Sequence, residues 1–481
     1  MGLLQPTDKK NGSGVSSLQA CIHLLKGNIG PGCLSLPFAF SRLGVQPAFL
    51  ITCGIASLTT YNSLLLLRVK DIVWNRERAT TTVNGEFSSD ADEVPHEEPD
   101  PVDNPNPPPP DYPSIGRAAF GKSGFALITL SVLVQQLSVC TVFFSFMADN
   151  IVKSIPPDCG LFNQPRFIMA LTFPFILLLT SLKNLKLLAP LSVFASSLLL
   201  TAFLLVVVGG LLSKYGSDNE NDIVFDDDVM ATPTQYDTLD KVIAITSILY
   251  SFEGICLVLP ISASLRPSSQ INFPRTYVFS IATVLATFLS FATFCVFAFG
   301  EVTDGSVTAY LIEHAAAHAS SVKTVIMAAN FFACLSVLCS YPLQLFPTLE
   351  LDLERESSKN GGGGDGKGYT VISSSLNNSI DGNDGTETVS RNTWRRRVTL
   401  ILFTFCLAMV VPDVALMISF AGSVAGTTAA IILPPALSLK IEATGLSRRK
   451  VIMNLAIIAF GLSLAVVGAC SSTIRIVGTY L

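Results

Sequence analysis

Apolar stretches of about 20 residues, each enough to cross roughly 30 Å of hydrocarbon, recur along the whole chain with short polar breaks between them. The pattern predicts an all-α polytopic membrane protein with about eleven spans, at 18–42, 45–67, 123–149, 166–182, 187–212, 240–263, 275–299, 322–349, 397–411, 414–439 and 451–472. Two long polar segments interrupt the series. Residues 78–115 are acidic and proline-rich, and residues 355–393 are rich in Gly, Ser and Asn. Neither carries enough apolar surface to offset the entropy lost on ordering, so both are expected to be disordered. The chain thus divides into a polar tail at 1–17, two spans within 18–77, a loop at 78–115, six spans within 116–354, a loop at 355–393 and three spans within 394–481. The first apolar segment continues from the polar tail without a small-residue cleavage site, so no cleavable leader is expected.

Composition agrees with the pattern. Of 481 residues, 49% are hydrophobic and 14% charged, more apolar surface than a soluble chain of this length could bury. Charge placement then gives orientation. With the N-terminus in the cytosol, 23 of the 31 Lys and Arg residues fall on the cytosolic side, seven on the other side or its edge, and Lys26 within the first span. Both polar loops are then cytosolic. No basic patch with interleaved aromatics is present, which argues against a nucleic-acid partner. The cysteines lie almost entirely in apolar segments, only Cys159 standing clearly in a loop, so a disulfide framework is not expected.

Two spans depart from ordinary membrane-helix chemistry. The first contains Gly27-Asn28-Ile29-Gly30-Pro31-Gly32, where proline removes a donor and three glycines weaken the helix. In lipid, backbone groups freed this way survive only inside protein or beside a cavity. A simple proline kink is one reading. The other is a discontinuous helix whose second half begins near Gly32 and offers N–H groups to an anion. The sixth span carries Ser251-Phe252-Glu253-Gly254 near its middle and then Pro260. A carboxylate there costs about 2.5–3.5 kcal/mol on insertion scales, so it needs a partner or a proton. Two broken helices five spans apart and opposite in direction are the signature of an inverted repeat, spans 1–5 and 6–10, with the site between them and the eleventh span peripheral.

These segments resemble the amino acid/auxin permease family, in particular its proton-coupled amino acid transporters and vacuolar amino acid transporters. The resemblance rests on Ile22-His23-Leu24-Leu25-Lys26-Gly27-Asn28-Ile29-Gly30 with Leu36-Pro37, and on Phe252-Glu253-Gly254 with Val258-Leu259-Pro260. Ala148-Asp149-Asn150, Leu182-Lys183-Asn184-Leu185, Phe273-Pro274 and Gly422-Ser423 through Leu433-Pro434 extend it over about residues 15–470, the two loops excepted. It implies a leucine-transporter-like 5+5 fold that moves small amino acids with a coupling ion. Relatives often tie their external loops by a disulfide, for which Cys159 has no obvious loop partner.

On this reading the substrate carboxylate sits on N–H groups around Gly30, Gly32 and Cys33. The ammonium meets carbonyls near Asn28 and at Ser251 to Phe252, with Gly254 allowing close backbone approach. For ion coupling, His23 and Glu253 are the candidates for protons, while Ser336 and Ser340 could supply oxygens to sodium. Protons are favoured because the His23 motif matches the proton-coupled branch. Gln136 and Cys140 could line the pocket or hold helices together. His314 and His318 are expected to be solvated.

The expected function is secondary active transport of small neutral amino acids by alternating access in a vacuolar, lysosomal or plasma membrane. The alternatives are an amino-acid sensor signalling through its cytosolic loops and a sodium-coupled carrier. An enzyme is disfavoured because no nucleophile and base, or metal-ligand spacing, cluster near a membrane face, and no cofactor is expected. A channel fits broken helices without a charged pore ring less well. Pro109-Pro110-Asp111-Tyr112 matches the P-P-x-Y ligand of WW domains, and also reads as a proline-rich spacer.

Overall fold

The computed structural model describes residues 16–87, 109–156, 158–181, 185–215, 236–314, 320–360, 390–443 and 445–480. Helix dominates, and no strand occurs among these residues. Among the described residues eight helices are long and apolar enough to cross a membrane, corresponding to spans 2, 3, 5, 6, 7, 8, 10 and 11 of the sequence pattern. The other three differ for visible reasons. The first span is broken into short pieces, the fourth is the 16-residue Pro165–Thr180, and the ninth opens on the basic turn Arg395 to Arg397. The chain is an integral membrane protein.

The first span begins with α1, Ser17–Asn28, whose start is set by a capping box. Ser16 Oγ accepts from Gln19 N–H at 3.3 Å and Gln19 Oε1 accepts from Ser16 N–H at 2.9 Å. The helix stops where the glycines and Pro31 begin. Ile29 and Gly30 are extended, the conformation favoured before proline, and helix resumes as α2, Pro31–Leu34, and α3, Leu36–Leu43. Gly44, at φ 80°, turns the chain into α4, Val45–Phe87.

The third span is longer than its apolar core suggests. Its helix α5, Tyr112–Ser154, bends at Gly121, where φ is 66°. Together α4 and α5 occupy both margins of the segment expected to lack structure; its centre, 88–108, lies outside the described residues. Helices α6, Pro165–Thr180, and α7, Leu185–Tyr215, follow. The sixth span is broken like the first, into α8, Thr238–Tyr250, and α9, Ile255–Ser264. After α10, Pro267–Gln270, come α11, Phe273–Phe299, the short α12, Val307–Glu313, and α13, Ser320–Asn360. Residues 361–389, most of the second polar loop, lie outside the described residues.

The chain closes with α14, Ser390–Val410, a tenth span in three pieces, and α17, Arg448–Tyr480. The tenth span runs through α15, Val414–Ala421, an eleven-residue π-helical segment, Gly422–Ile432, and α16, Leu433–Ile441. Helix α17 lies largely outside the bundle, as expected of the eleventh span, and docks where Gly468 meets Ser423 and Thr246. Buried hydroxyls tie this contact together: Thr246 to Ser419 at 2.6 Å and Ser419 to Ser472 at 2.8 Å.

Candidate functional site

The two breaks pack against each other. Ser251, which caps α8, donates its hydroxyl to the carbonyl of Gly32 at 2.8 Å. A Cβ on Gly32 would lie 2.9 Å from the Tyr250 ring and 3.2 Å from Ser251 Cα, so glycine is what allows the two backbones to close. Below this contact Asn28 lies against Gly254, where an added Cβ would come within 2.7 Å of Asn28 Cγ. Asn28 Nδ2 donates to Leu24 O at 2.8 Å, so its amide is already anchored to α1. Phe252 is buried edge-on against Phe288, their centroids 5.4 Å apart. Asn28, Gly32, Ser251, Phe252 and Gly254 are thus brought together. The motif is a discontinuous helix and not a proline kink.

Gly30 and Cys33 complete the break differently. Around Gly30, an added Cβ would meet no atom within 4 Å, so space opens beside it. Cys33 N–H turns back on the Gly30 carbonyl at 3.1 Å, and its thiol donates to the same oxygen at 2.6 Å. Its N–H therefore closes the first turn of the second half-helix.

Glu253 faces inward from the break in the sixth span. Gln135 on α5 hydrogen-bonds its carboxylate, while Oε1 is enclosed and has no partner in the protein. A Cβ on Gly426, in the π-helical segment, would stand 3.9 Å from that oxygen. Gln135 was missed in the sequence, although a Gln-Gln pair within an apolar span is a visible signal. Gly426 left none, because its role depends on the π geometry.

The ion-coupling candidates do not converge on one point. His23 is exposed on α1, on the side away from buried Ala20, Leu24 and Asn28, with Lys26 beside it. Ser336 donates to Ala195 O at 2.5 Å, across the interface between α13 and α7, and Ser340 is half-buried on the same helix. His314 is exposed, its ring on Tyr310, and His318 lies outside the described residues. Cys140 is buried within reach of the Tyr341 hydroxyl.

One expectation is corrected. Tyr112 of the P-P-x-Y motif is buried at the start of α5, and its hydroxyl donates to Ala429 O at 3.0 Å. Pro110 is buried beside it. A WW groove needs an exposed polyproline segment with a free tyrosine, and Pro109, Pro110 and Tyr112 do not present one.

Polar ties bind the bundle at both ends. At the end carrying Leu43, the segment 300–306 covers the helix tips: Ser41 Oγ accepts from Val302 N–H at 2.9 Å, and Gly305 lies against Ala415. Lys153 reaches Asp304 at 2.7 Å, Glu313 at 3.2 Å and Asp149 at 3.5 Å. Asn150 accepts from Thr308 at 2.6 Å. At the opposite end Arg68 pairs with buried Glu442 at 2.8 Å and Lys70 donates to Ser262 at 2.9 Å.

Comparison with known proteins adds an independent line. The model of the family described as transmembrane amino acid transporter protein matches residues 13–474. Amino acid transporter AVT3C of Arabidopsis thaliana is 23% identical over 460 residues, covering 92% of this chain and 87% of its own. Vacuolar amino acid transporter 3 of Schizosaccharomyces pombe is 25% identical over 341 residues, 70% of this chain and 43% of that protein. Among solved structures, a manganese transporter of Eremococcus coleocola is similar over 96% of this chain and 95% of its own, at 13% identity and a TM-score of 0.37.

Proposed function

The chain belongs to the transmembrane amino acid transporter family, and we propose that it carries small neutral amino acids across a vacuolar membrane, coupled to protons, by alternating access. One observation carries the reading: the breaks of the first and sixth spans meet, Ser251 Oγ on Gly32 O at 2.8 Å, beside open space at Gly30. Half-helix starts and freed carbonyls facing one another suit a zwitterion, with its carboxylate toward the N–H groups of Gly30 and Gly32. The vacuolar location follows the names of the fungal relative and the family resemblance, and the cytosolic N-terminus follows the bias of Lys and Arg.

Protons are preferred to sodium on two grounds. The Ser336 hydroxyl is engaged by Ala195 and so turned toward α7. Glu253, at the break, is a carboxylate with an enclosed and unpartnered oxygen, which suits a site that gains and loses a proton during the cycle. Purified protein in proteoliposomes tests the reading. Labelled alanine should accumulate when the outside is acidified in sodium-free buffer. Binding without accumulation would instead indicate a sensor, and uptake that needs sodium and ignores pH would overturn proton coupling.

A further inference from the structure

Gln135, Gln136 and Tyr250 are each more than nine-tenths buried, and each carries a polar atom without a partner: Oε1 of both glutamines and the Tyr250 hydroxyl. Buried polar atoms of this kind are rare because each forfeits its hydration, so several around one point call for an absent occupant. Glu253 Oε1 is enclosed and unpartnered in the same way. Three of these groups, Gln135, Tyr250 and Glu253, share a neighbourhood. Gln135 hydrogen-bonds the Glu253 carboxylate, Tyr250 lies close enough to feel its charge, and Gly426, which has no side chain, lies beside Oε1, where an added Cβ would stand 3.9 Å away.

The chemistry of the unpartnered atoms selects the occupant. The unpartnered oxygens of Gln135 and Glu253 only accept hydrogen bonds, and the phenol can accept as well. An anion would meet acceptors and a negative charge. An apolar group would leave all of them unsatisfied. A compact cation with several N–H donors satisfies them together.

We propose that Glu253, held by Gln135 and flanked by Tyr250, forms a chamber for the ammonium group of the substrate, between α5, the break of the sixth span and the π-helical segment. The proposal rests on the reading of the chain as an amino acid carrier and moves its cationic subsite from backbone carbonyls to side chains. Gln135 is a positioning residue: its amide fixes one carboxylate oxygen so that the other meets the ligand. The ammonium is that of the α-amino group or of a basic side chain, and substrate pairs distinguish the two.

The test is competition against labelled alanine uptake in proteoliposomes by two matched pairs, alanine against propionate and lysine against norleucine. It uses wild type, Glu253→Gln and Gln135→Met, each first shown to elute as a single species with wild-type thermal stability. Loss of a charge-assisted hydrogen bond should narrow the wild-type preference for the aminated member by about ten- to hundred-fold, leaving the deaminated member unaffected. Narrowing in the alanine pair assigns the α-ammonium; narrowing only in the lysine pair assigns a side-chain ammonium. A merely structural role for Gln135 would weaken both members equally, and that result overturns the proposal. If Glu253→Gln does not fold, Gln135→Met alone decides. A wild type that accumulates no amino acid overturns the carrier reading itself.

Discussion

Gly30 and Gly32 stand two residues apart in opposite surroundings. Gly32 is wedged against Tyr250 and the Ser251 backbone, and the bond from Ser251 Oγ to its carbonyl holds the two broken spans together. Gly32→Ala forces backbone apart at the contact, and we expect a loss of about 1–3 kcal/mol, read as a lower thermal midpoint of the detergent-purified protein, together with lost uptake. Ser251→Ala removes one buried hydrogen bond and should cost about 1 kcal/mol on the same scale. An unchanged midpoint in both variants would show that the breaks do not support each other. The sequence made the glycine cluster conspicuous, since Pro31 and three glycines have no place in a continuous lipid-facing helix. Which glycine is packed and which faces space was hidden, because it depends on the rotation of α8 about its own axis. The same limit explains Tyr112: its motif reads as exposed polyproline until the hydroxyl is seen on Ala429, 317 residues away.

At the scale of elements, the segment 300–306 with α12 forms a cover whose fastening is Lys153. One ammonium serves acids from α5, the covering segment and α12. Lys153→Met leaves those carboxylates facing one another, and we expect about 1–2 kcal/mol of destabilisation, limited because Glu313 is exposed and the hub keeps partial contact with solvent. Thiol labelling of Cys140, buried below in α5, should become faster in that variant; equal labelling rates would contradict a fastened cover. Asp413, between α14 and α15, adds a pH dependence. Burial pushes its carboxyl above the ordinary value, with Asp304 adding to the shift and the Leu416 and Ala415 N–H groups and Lys153 opposing it. The folded protein therefore holds this proton where the unfolded chain has released it. The resulting stabilisation is complete below the ordinary carboxyl value, about 3.9, and fades as pH rises through the raised one. Asp413→Asn keeps an acceptor for Leu416 N–H but cannot titrate, so its melting temperature should lose that component. Identical pH profiles would refute it. The breaks in the first and sixth spans were legible from proline, glycine and a misplaced carboxylate. The π-helical segment of the tenth was not, because its residues are ordinary for a membrane helix. Its geometry goes with tertiary contacts such as Gly422 against Thr246 and with the Thr427 hydroxyl on Gly422 O at 3.0 Å.

For the whole molecule, family membership and one piece of geometry, the meeting of two broken helices beside Gly30, together support the proposal that the substrate sits there. Gly30 isolates that claim better than any other position. Its backbone is extended, at φ −134° and ψ −167°, a conformation open to every residue and natural for a β-branched one before proline. An added Cβ meets no atom within 4 Å, so a side chain starts from Gly30 into the space beside the break without meeting a neighbour at its Cβ. The deciding measurement is equilibrium binding of labelled alanine to purified wild type and Gly30→Val, alongside their melting temperatures. A substrate seated beside Gly30 should leave melting temperatures matched and binding weakened at least about ten-fold, the equivalent of roughly 1.4 kcal/mol. Undiminished affinity in a Gly30→Val protein of wild-type stability would contradict it.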